Sequence, residues 1–469
     1  MLRPGQHIHI VGVGGFGMSA IARVLLQQGF TISGSDLKAN DFTRDLAAAG
    51  ASIFIGHAAE NIAGADVVVI SSAVPETNPE VGAARAAGIP VRRRREMLGE
   101  LMAQKVGIAV AGTHGKTTTT ALIAHILNEA GLDPTYIIGG VLRNTGTNAG
   151  VGRGDHFVIE ADEYDRMFLG LRPQIAVITN IEHDHPDCYP TLDDVIQAFE
   201  QFVALLPDDG LLVVCADSPH ARRLGEQRRA AGKPVAFYGV TRAYDGWYAA
   251  DGAPDPAGGM RFTLHQGDHA LSPMQVNLEG AHNVQNALAA IIVARHLDVR
   301  LGIILRALQS FQGTGRRSEI MGQVGGVTVV SDYAHHPTEI RVTLAAWHQR
   351  PGVHELWAVW QPHTFGRMRA LAENFPPVFS EAQHVLVTDV YSVRETVSPG
   401  LDAARMTEMI RSHQTPSWPA RDVRYTASFD ATVQALIEGV QPGDVVVILS
   451  AGDAPQIGER LLEHLRGNS

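Results

Sequence analysis

The chemistry of this chain begins at residues 109–120, Ala-Val-Ala-Gly-Thr-His-Gly-Lys-Thr-Thr-Thr-Thr. The apolar run 107–111 reads as a buried strand and 121–127 as a helix, with a two-glycine turn between them. Strand, glycine turn, Lys-Thr and helix form a phosphate cradle: the N–H groups and the dipole at the helix start both favour an anion. Gly112, Thr113, His114, Gly115, Lys116, Thr117 and Thr118 line it. Lys116 neutralises the β- and γ-phosphates, and the Thr117 hydroxyl ligates Mg²⁺. The loop is shorter than the standard phosphate loop, because Val110 stands where that pattern has its first glycine. The chain has only four lysines, which argues against a chance lysine here and for binding of a nucleoside triphosphate.

Residues 155–163 read as a strand that ends in Glu160, Asp162 and Glu163. Residues 175–180 read as another, followed by Glu182, His183, Asp184 and His185. Strand ends beside a phosphate loop face the nucleotide, so Glu160 and His185 join Thr117 as metal ligands, with His183 a neighbour. One carboxylate plus phosphates suits Mg²⁺, while a histidine ligand keeps Mn²⁺ open. Asn283 and Asn286, three apart on a helix that begins near Glu279, share one face and can pair with adenine. The loop 312–317 ends in Arg316 and Arg317, whose guanidinium groups suit a γ-phosphate.

Two further α/β patterns flank this centre. Residues 7–11 read as a strand and are followed by Gly14, Gly15, Gly17, Met18 and Ser19 on a glycine loop. A helix then runs to about residue 28, and a second strand over 30–33 leads to Asp36. This βαβ fingerprint signals a diphosphate at a helix N-terminus more than it signals a nicotinamide cofactor. A strand over 67–70 ends at Ser71 and Ser72, which read equally as ligand contacts or as a cap. After residue 317, strands over 326–330, 356–360, 384–387 and 445–449 carry polar ends. These ends are 332–339, 361–367, 389–395 and 450–453. The stretch 241–275, rich in Gly, Asp and Pro, reads as irregular or hairpin structure at an edge.

The fold expected is α/β in three domains. These are a Rossmann-like domain over 1–105, a central P-loop-type ATPase domain over 106–317 and a Rossmann-like domain over 318–469. Net charge of −11 argues against a nucleic-acid partner, and no apolar run is long enough to span a membrane. Two cysteines and an N-terminus without an apolar leader point to a cytoplasmic location.

Taken in order, these motifs resemble the Mur ligase family, the ATP-dependent amide-bond ligases of peptidoglycan synthesis. The matching residues are 14–19, 111–120, 160–163, 184–185, 282–283 with Asn286, 316–317, 335–339 and 361–363, and the resemblance spans essentially the whole chain. It implies that the first domain holds a UDP-sugar, with Asp36, Ser71 and Arg94 near the glycine loop. It implies MgATP on the central domain, with Asp332 among the ATP contacts, and an amino acid brought by the last domain. The reaction implied joins L-alanine to the lactyl carboxylate of UDP-N-acetylmuramate through an acyl phosphate. Lys116, Glu160, His185, Arg317 and His363 then form the catalytic set, with His363 and Arg367 placing the alanine and Arg367 on its carboxylate. The protein is expected to be a monomer or homodimer.

The run 92–95 is wholly basic, and Arg94 is the sugar-nucleotide contact chosen from it. No lysine lies between Lys116 and Lys233, so the carbamylated lysine of several relatives is excluded there. Tyr164 resembles the muropeptide-recycling member of the family, which joins a tripeptide to the same sugar, whereas residues 17–19 and 337–339 resemble the member that uses L-alanine. A nicotinamide-dependent oxidoreductase leaves Lys116 and the carboxylates unexplained, and a non-catalytic nucleotide switch needs no UDP-sugar.

Overall fold

The computed structural model describes residues 3–241, 246–392, 401–413, 418 and 422–467. The first sheet comprises β1 (His7–Val11), β2 (Thr31–Asp36), β3 (Ser52–Ile55), β4 (Val67–Ile70) and β5 (Val91–Arg93). All its pairs are parallel, in the order β3-β2-β1-β4-β5. The order reverses at β1, so the glycine loop that leaves this strand opens at the topological switch point.

The second set of strands is β6 (Val106–Ala111), β7 (Thr135–Leu142), β8 (Thr147–Gly150), β9 (His156–Glu160), β10 (Ile175–Ile178), β11 (Leu211–Cys215) and β12 (Val235–Gly239). They run β12-β11-β10-β6-β9-β7-β8, parallel except for β8 against β7. Fully apolar strands such as IAVI and LLVVC are what a sheet covered on both faces requires. Register pairs Val110 with Glu160 and Ala111 with Ile178, so the ends of β9 and β10 flank the loop after β6. The stretch expected to be irregular or hairpin holds β13 (Trp247–Pro254), β14 (Met260–Gln266) and β15 (His269–Val276), with β14 and β15 antiparallel.

The last sheet comprises β16 (Glu319–Val324), β17 (Val327–Asp332), β18 (Leu356–Trp360), β19 (His384–Val387), β20 (Asp422–Tyr425) and β21 (Val445–Leu449). Its order is β16-β17-β21-β18-β19-β20, with only β16 antiparallel. Period-two alternation divides β18 between two cores. Leu356, Ala358 and Trp360 join Trp347 and Phe375 on one face, while Trp357 and Val359 join Leu436 and Ile448 on the other.

The chain divides into two compact units. One comprises 1–181, 196–247 and 286–308; the other comprises 182–195, 248–285 and 309–469. The stretch 106–317 thus contributes to both, and the boundary falls inside the helix Ala281–His296, between Gln285 and Asn286. Among the described residues no helix is long and apolar enough to cross a membrane.

The first sheet buries a polar cluster. His9, Ser33, Ser35 and Glu80 are all almost fully inaccessible. Ser35 donates to Glu80 Oε2 at 2.6 Å, Asn61 donates to Glu80 Oε1 at 2.6 Å, and His57 Nδ1 lies 3.2 Å from Oε2. Burial alone would raise the Glu80 pKa, but hydrogen bonds with His9, Ser35 and Asn61 outweigh it and hold the carboxyl at about 2, against an ordinary 4.5. A depressed folded-state pKa contributes stability that is complete above pH 4.5 and lost as pH falls toward 2. The contribution is at most about 3 kcal/mol. Urea midpoints of wild type and Glu80→Gln should therefore differ most near neutral pH and converge as pH falls through that window. A gap independent of pH would show that the buried carboxylate carries no such linkage.

Candidate active site

The phosphate loop is stitched to the strand beside it. Thr113 N donates to Asn180 O at 3.0 Å, and His114 N donates to Asn180 Oδ1 at 2.8 Å. The Thr179 hydroxyl donates to His114 O at 2.6 Å. Gly112 lies at φ +142° and Gly115 at φ +79°, both in the region that favours glycine. A Cβ on Gly112 would collide with Thr179 Oγ1. Gly115 caps the helix Lys116–Glu129, and no side chain caps its start, which leaves that end to an anion.

Lys116 spends its three donors nearby: on Gly112 O at 2.6 Å, Thr113 O at 3.0 Å and Glu163 Oε1 at 2.8 Å. Burial alone would lower its pKa, but Glu163, then Asp162 and Glu160, outweigh burial and raise it, so the ammonium stays charged. Thr117 Oγ1 donates to Glu160 Oε1 at 3.1 Å, and Glu160 Oε2 accepts from Gly139 N at 2.6 Å. Thr119 Oγ1 donates to Asn286 Oδ1 at 3.2 Å, so Asn286 braces the helix that starts at Lys116. Thr118 is buried in the same turn. Sequence reasoning placed Glu163 in a carboxylate cluster without a role; its partnership with Lys116 comes from the fold.

The first glycine loop has the same construction. Gly12 N and Val13 N both donate to Ser35 O, and Gly14 N donates to Asp36 Oδ2 at 2.9 Å. Asn40 Nδ2 donates to Gly14 O at 3.0 Å. Asp36 therefore braces the loop. Gly15 caps the helix Phe16–Gln27 without a side-chain cap, Met18 is buried, and the Ser19 hydroxyl donates to Phe16 O. Ser71 is half-buried at the end of β4, where its carbonyl accepts from Val74 N in a turn.

The four arginines separate clearly. Arg92 pairs with Glu100, Arg93 lies 3.5 Å from Glu76, and Arg95 is exposed. Arg94 lies directly over Gly17, where a Cβ would overlap its guanidinium, and its Nε is buried without a hydrogen-bond partner among the described residues.

The second unit gathers the remaining candidates except Asn286. Asn283 Nδ2 donates to Glu279 O at 2.8 Å. Arg316 Nη2 donates to Ser450 O and Gly452 O, and Arg317 lies 3.8 Å from Glu339 and over the Tyr333 ring. Asp332 accepts from Ser318 N and Oγ on one oxygen and from Ala334 N on the other, so it organises the loop around it. Arg367 is expected on the alanine carboxylate. In the structure its Nε and Nη2 lie 3.0 and 2.9 Å from Asp184 Oδ1, with both side chains almost fully buried. Its Nη1 donates to His363 Nδ1 at 2.8 Å. Burial would raise the Asp184 pKa, but His185 and then Arg367 hold it far below the carboxylate range. Burial, then the Arg367 charge, push His363 down to about 4 and His335 to about 3. His185 stands beside Asp184, its Nε2 3.7 Å from Oδ2. The polar end 389–395 is described only as far as Ser392; residues 393–395 lie outside the described residues.

Parallel α/β sheets with glycine loops at their switch points and a buried Lys-carboxylate cluster define a phosphate-loop α/β enzyme. Three domain families match in succession: Mur ligase family, catalytic domain, over 7–106; Mur ligase middle domain over 110–294; and Mur ligase, glutamate ligase domain, over 316–452. The chain belongs to the Mur ligase family. The UDP-N-acetylmuramate–L-alanine ligase of Solibacter usitatus is 45% identical over 462 residues, covering 98% of this chain and 96% of that one. The ligase of the same name from Geobacter sulfurreducens is 44% identical over 465 residues, 98% of each chain. The crystal structure of UDP-N-acetylmuramate–alanine ligase from Thermotoga maritima superposes with a TM-score of 0.81 at 27% identity, covering 99% of this chain and 100% of that one. A murein peptide ligase from Psychrobacter arcticus gives 0.68 at 29% identity, covering 98% and 99%.

Proposed function

We propose that this enzyme is an ATP-dependent ligase that joins L-alanine to the lactyl carboxylate of UDP-N-acetylmuramate. The observation that carries the reading is identity of 42–45% over at least 96% of the chain with relatives of that name. The geometry around Lys116 and Glu160 supports it. A lactyl carboxylate oxygen attacks the γ-phosphorus, the bond to the bridging oxygen breaks, and ADP leaves. The alanine amine then attacks the acyl carbon, loses a proton, and expels inorganic phosphate. Positioning and charge neutralisation are the main demands of such a transfer.

Lys116 neutralises the phosphates with Arg317, and the loop 112–118 cradles them. Asn283 and Asn286 serve the adenine side, and Asp332 holds its loop in shape. The Thr117 hydroxyl beside the Glu160 carboxylate is a hard oxygen pair that fits Mg²⁺. A divalent ion there would supply further charge neutralisation. Gly14, Gly15, Gly17, Met18, Ser19, Asp36 and Ser71 form the UDP-sugar loop region, with Arg94 over it. His363 and Arg367 serve the amino acid.

The test is ADP release with MgATP and UDP-N-acetylmuramate, with and without L-alanine. Alanine-dependent ADP, matched by UDP-N-acetylmuramoyl-alanine, is the expected result. ADP release only with L-Ala-γ-D-Glu-meso-diaminopimelate would overturn the acceptor and make Tyr164 the better clue.

A further inference from the structure

Two imidazoles of the last sheet are locked in opposite tautomers by partners that leave no choice. An arginine only donates, so His363 Nδ1, 2.8 Å from Arg367 Nη1, accepts, and the proton of neutral His363 sits on Nε2. A carbonyl only accepts, so His335 Nδ1, 2.9 Å from Tyr333 O, carries its proton and leaves Nε2 bare. The two rings meet edge to face with centroids 5.5 Å apart. One presents an N–H donor and its neighbour an acceptor.

Arg367 can hold His363 this way only because something holds Arg367. Asp184 Oδ1 takes both Nε and Nη2, which turns Nη1 toward the ring. The backbone is strained to make this arrangement. Thr364, between the two residues, is β-branched yet sits at φ +61°, ψ +138°. Its N–H donates to Tyr391 O at 3.1 Å, and its hydroxyl oxygen accepts from Arg367 N at 3.3 Å. A conformation this unfavourable for threonine persists where the surroundings over-determine it, typically at a functional site.

We propose that Asp184 is a positioning residue for the ligation: acting through Arg367, it fixes His363 as an Nε2–H donor while the neighbouring His335 ring offers a bare Nε2, so that the acceptor subsite meets the two polar ends of an amino acid with one donor and one acceptor. The proposal rests on the assignment of His363 and Arg367 to the alanine and adds the residue that orients them. It also removes His363 Nδ1 from any role as a base.

The experiment is imidazole ¹⁵N NMR of the full-length, metal-free protein, read together with steady-state kinetics. In wild type, His363 should show a protonated Nε2 and a bare Nδ1. Asp184→Asn alone strands a buried guanidinium and endangers folding. The double variant Asp184→Asn/Arg367→Met removes both charges and keeps the fold testable. In it, the fixed tautomer of His363 should give way to a mixture. The KM for L-alanine should rise about tenfold or more while the KM for ATP stays within about twofold. His363→Gln, whose amide nitrogen can replace Nε2, should retain more activity than His363→Asn, whose amide replaces Nδ1. A wild-type His363 protonated on Nδ1, a tautomer unchanged in the double variant, or a better His363→Asn would each overturn the proposal. ADP formation that ignores alanine in wild type would instead overturn the acceptor assignment beneath it, so the two failures are distinct.

Discussion

Lys116→Met should abolish ligation, lowering kcat/KM by about a thousandfold or more, because the variant loses the charge proposed to neutralise the transferring phosphoryl group. The structure predicts a second effect. Lys116 Nζ lies 2.8 Å from Glu163 Oε1, and the Glu163 side chain is only 3% exposed. Removing the lysine alone leaves a buried carboxylate without its cation, at roughly 3–5 kcal/mol. Loss of activity in the single variant would then mix chemistry with folding. Lys116→Met/Glu163→Gln separates the two: the urea midpoint should return most of the way to wild type while ADP formation stays at background. Substantial ATP-dependent turnover by the stable double variant would refute the role proposed for Lys116.

Gly112→Ala should be nearly as damaging, for a reason that is purely geometric. The residue sits at φ +142°, and its Cβ would overlap Thr179 Oγ1 and approach Asn180 N at 3.2 Å. Neither neighbour can yield cheaply. Thr179 Oγ1 donates to His114 O, and Asn180 holds Thr113 and His114 through its carbonyl and side-chain oxygens. The loop must therefore leave its conformation, with destabilisation of about 2–4 kcal/mol and loss of ATP binding. Gly115→Ala is a graded comparison. It also has a positive φ, but its Cβ would meet the Asn286 Oδ1 side-chain atom at 2.5 Å. Gly115→Ala/Asn286→Ala should recover part of the lost stability, whereas Gly112→Ala/Thr179→Ala should recover little, because backbone strain and Asn180 remain. Denaturation midpoints and ATP titration calorimetry measure both. Near-wild-type ATP affinity in Gly112→Ala would refute the account.

Local pattern made much of the fold legible. The strands over 356–360, 384–387 and 445–449 occur as expected from their short apolar runs. The strand expected over 30–33 runs through Thr31–Asp36, because Ser33 and Ser35 are buried polar residues that interrupt the apolar pattern without ending the strand. Strands β3 and β20 were invisible for the opposite reason. They are short, partly exposed edges: the apolar run of β3 is only three residues, Ile53 to Ile55, and β20 has none. The two antiparallel partners β8 and β16 were missed likewise. Strand β8, TNAG, is polar, and β16 is mostly half-buried.

The sequence by itself determined what neighbours along the chain can encode: a glycine turn that ends in Lys116 and Thr117, a second glycine loop from Gly14 to Gly17, and strand ends rich in carboxylates and imidazoles. Such motifs are legible because spacing of a few residues dictates their shape. Only the tertiary structure decided the pairings. Glu163, 47 residues from Lys116, neutralises it. Asp184, 183 residues from Arg367, pairs with the guanidinium that the resemblance assigns to the alanine carboxylate. Gly17 leaves room for Arg94 and so distinguishes it from Arg92 and Arg93, whose partners are nearby glutamates. Ion pairs and tautomers depend on which groups the folded chain brings within about 3 Å of one another. That proximity is set by sheet order and register, which no short window of sequence contains.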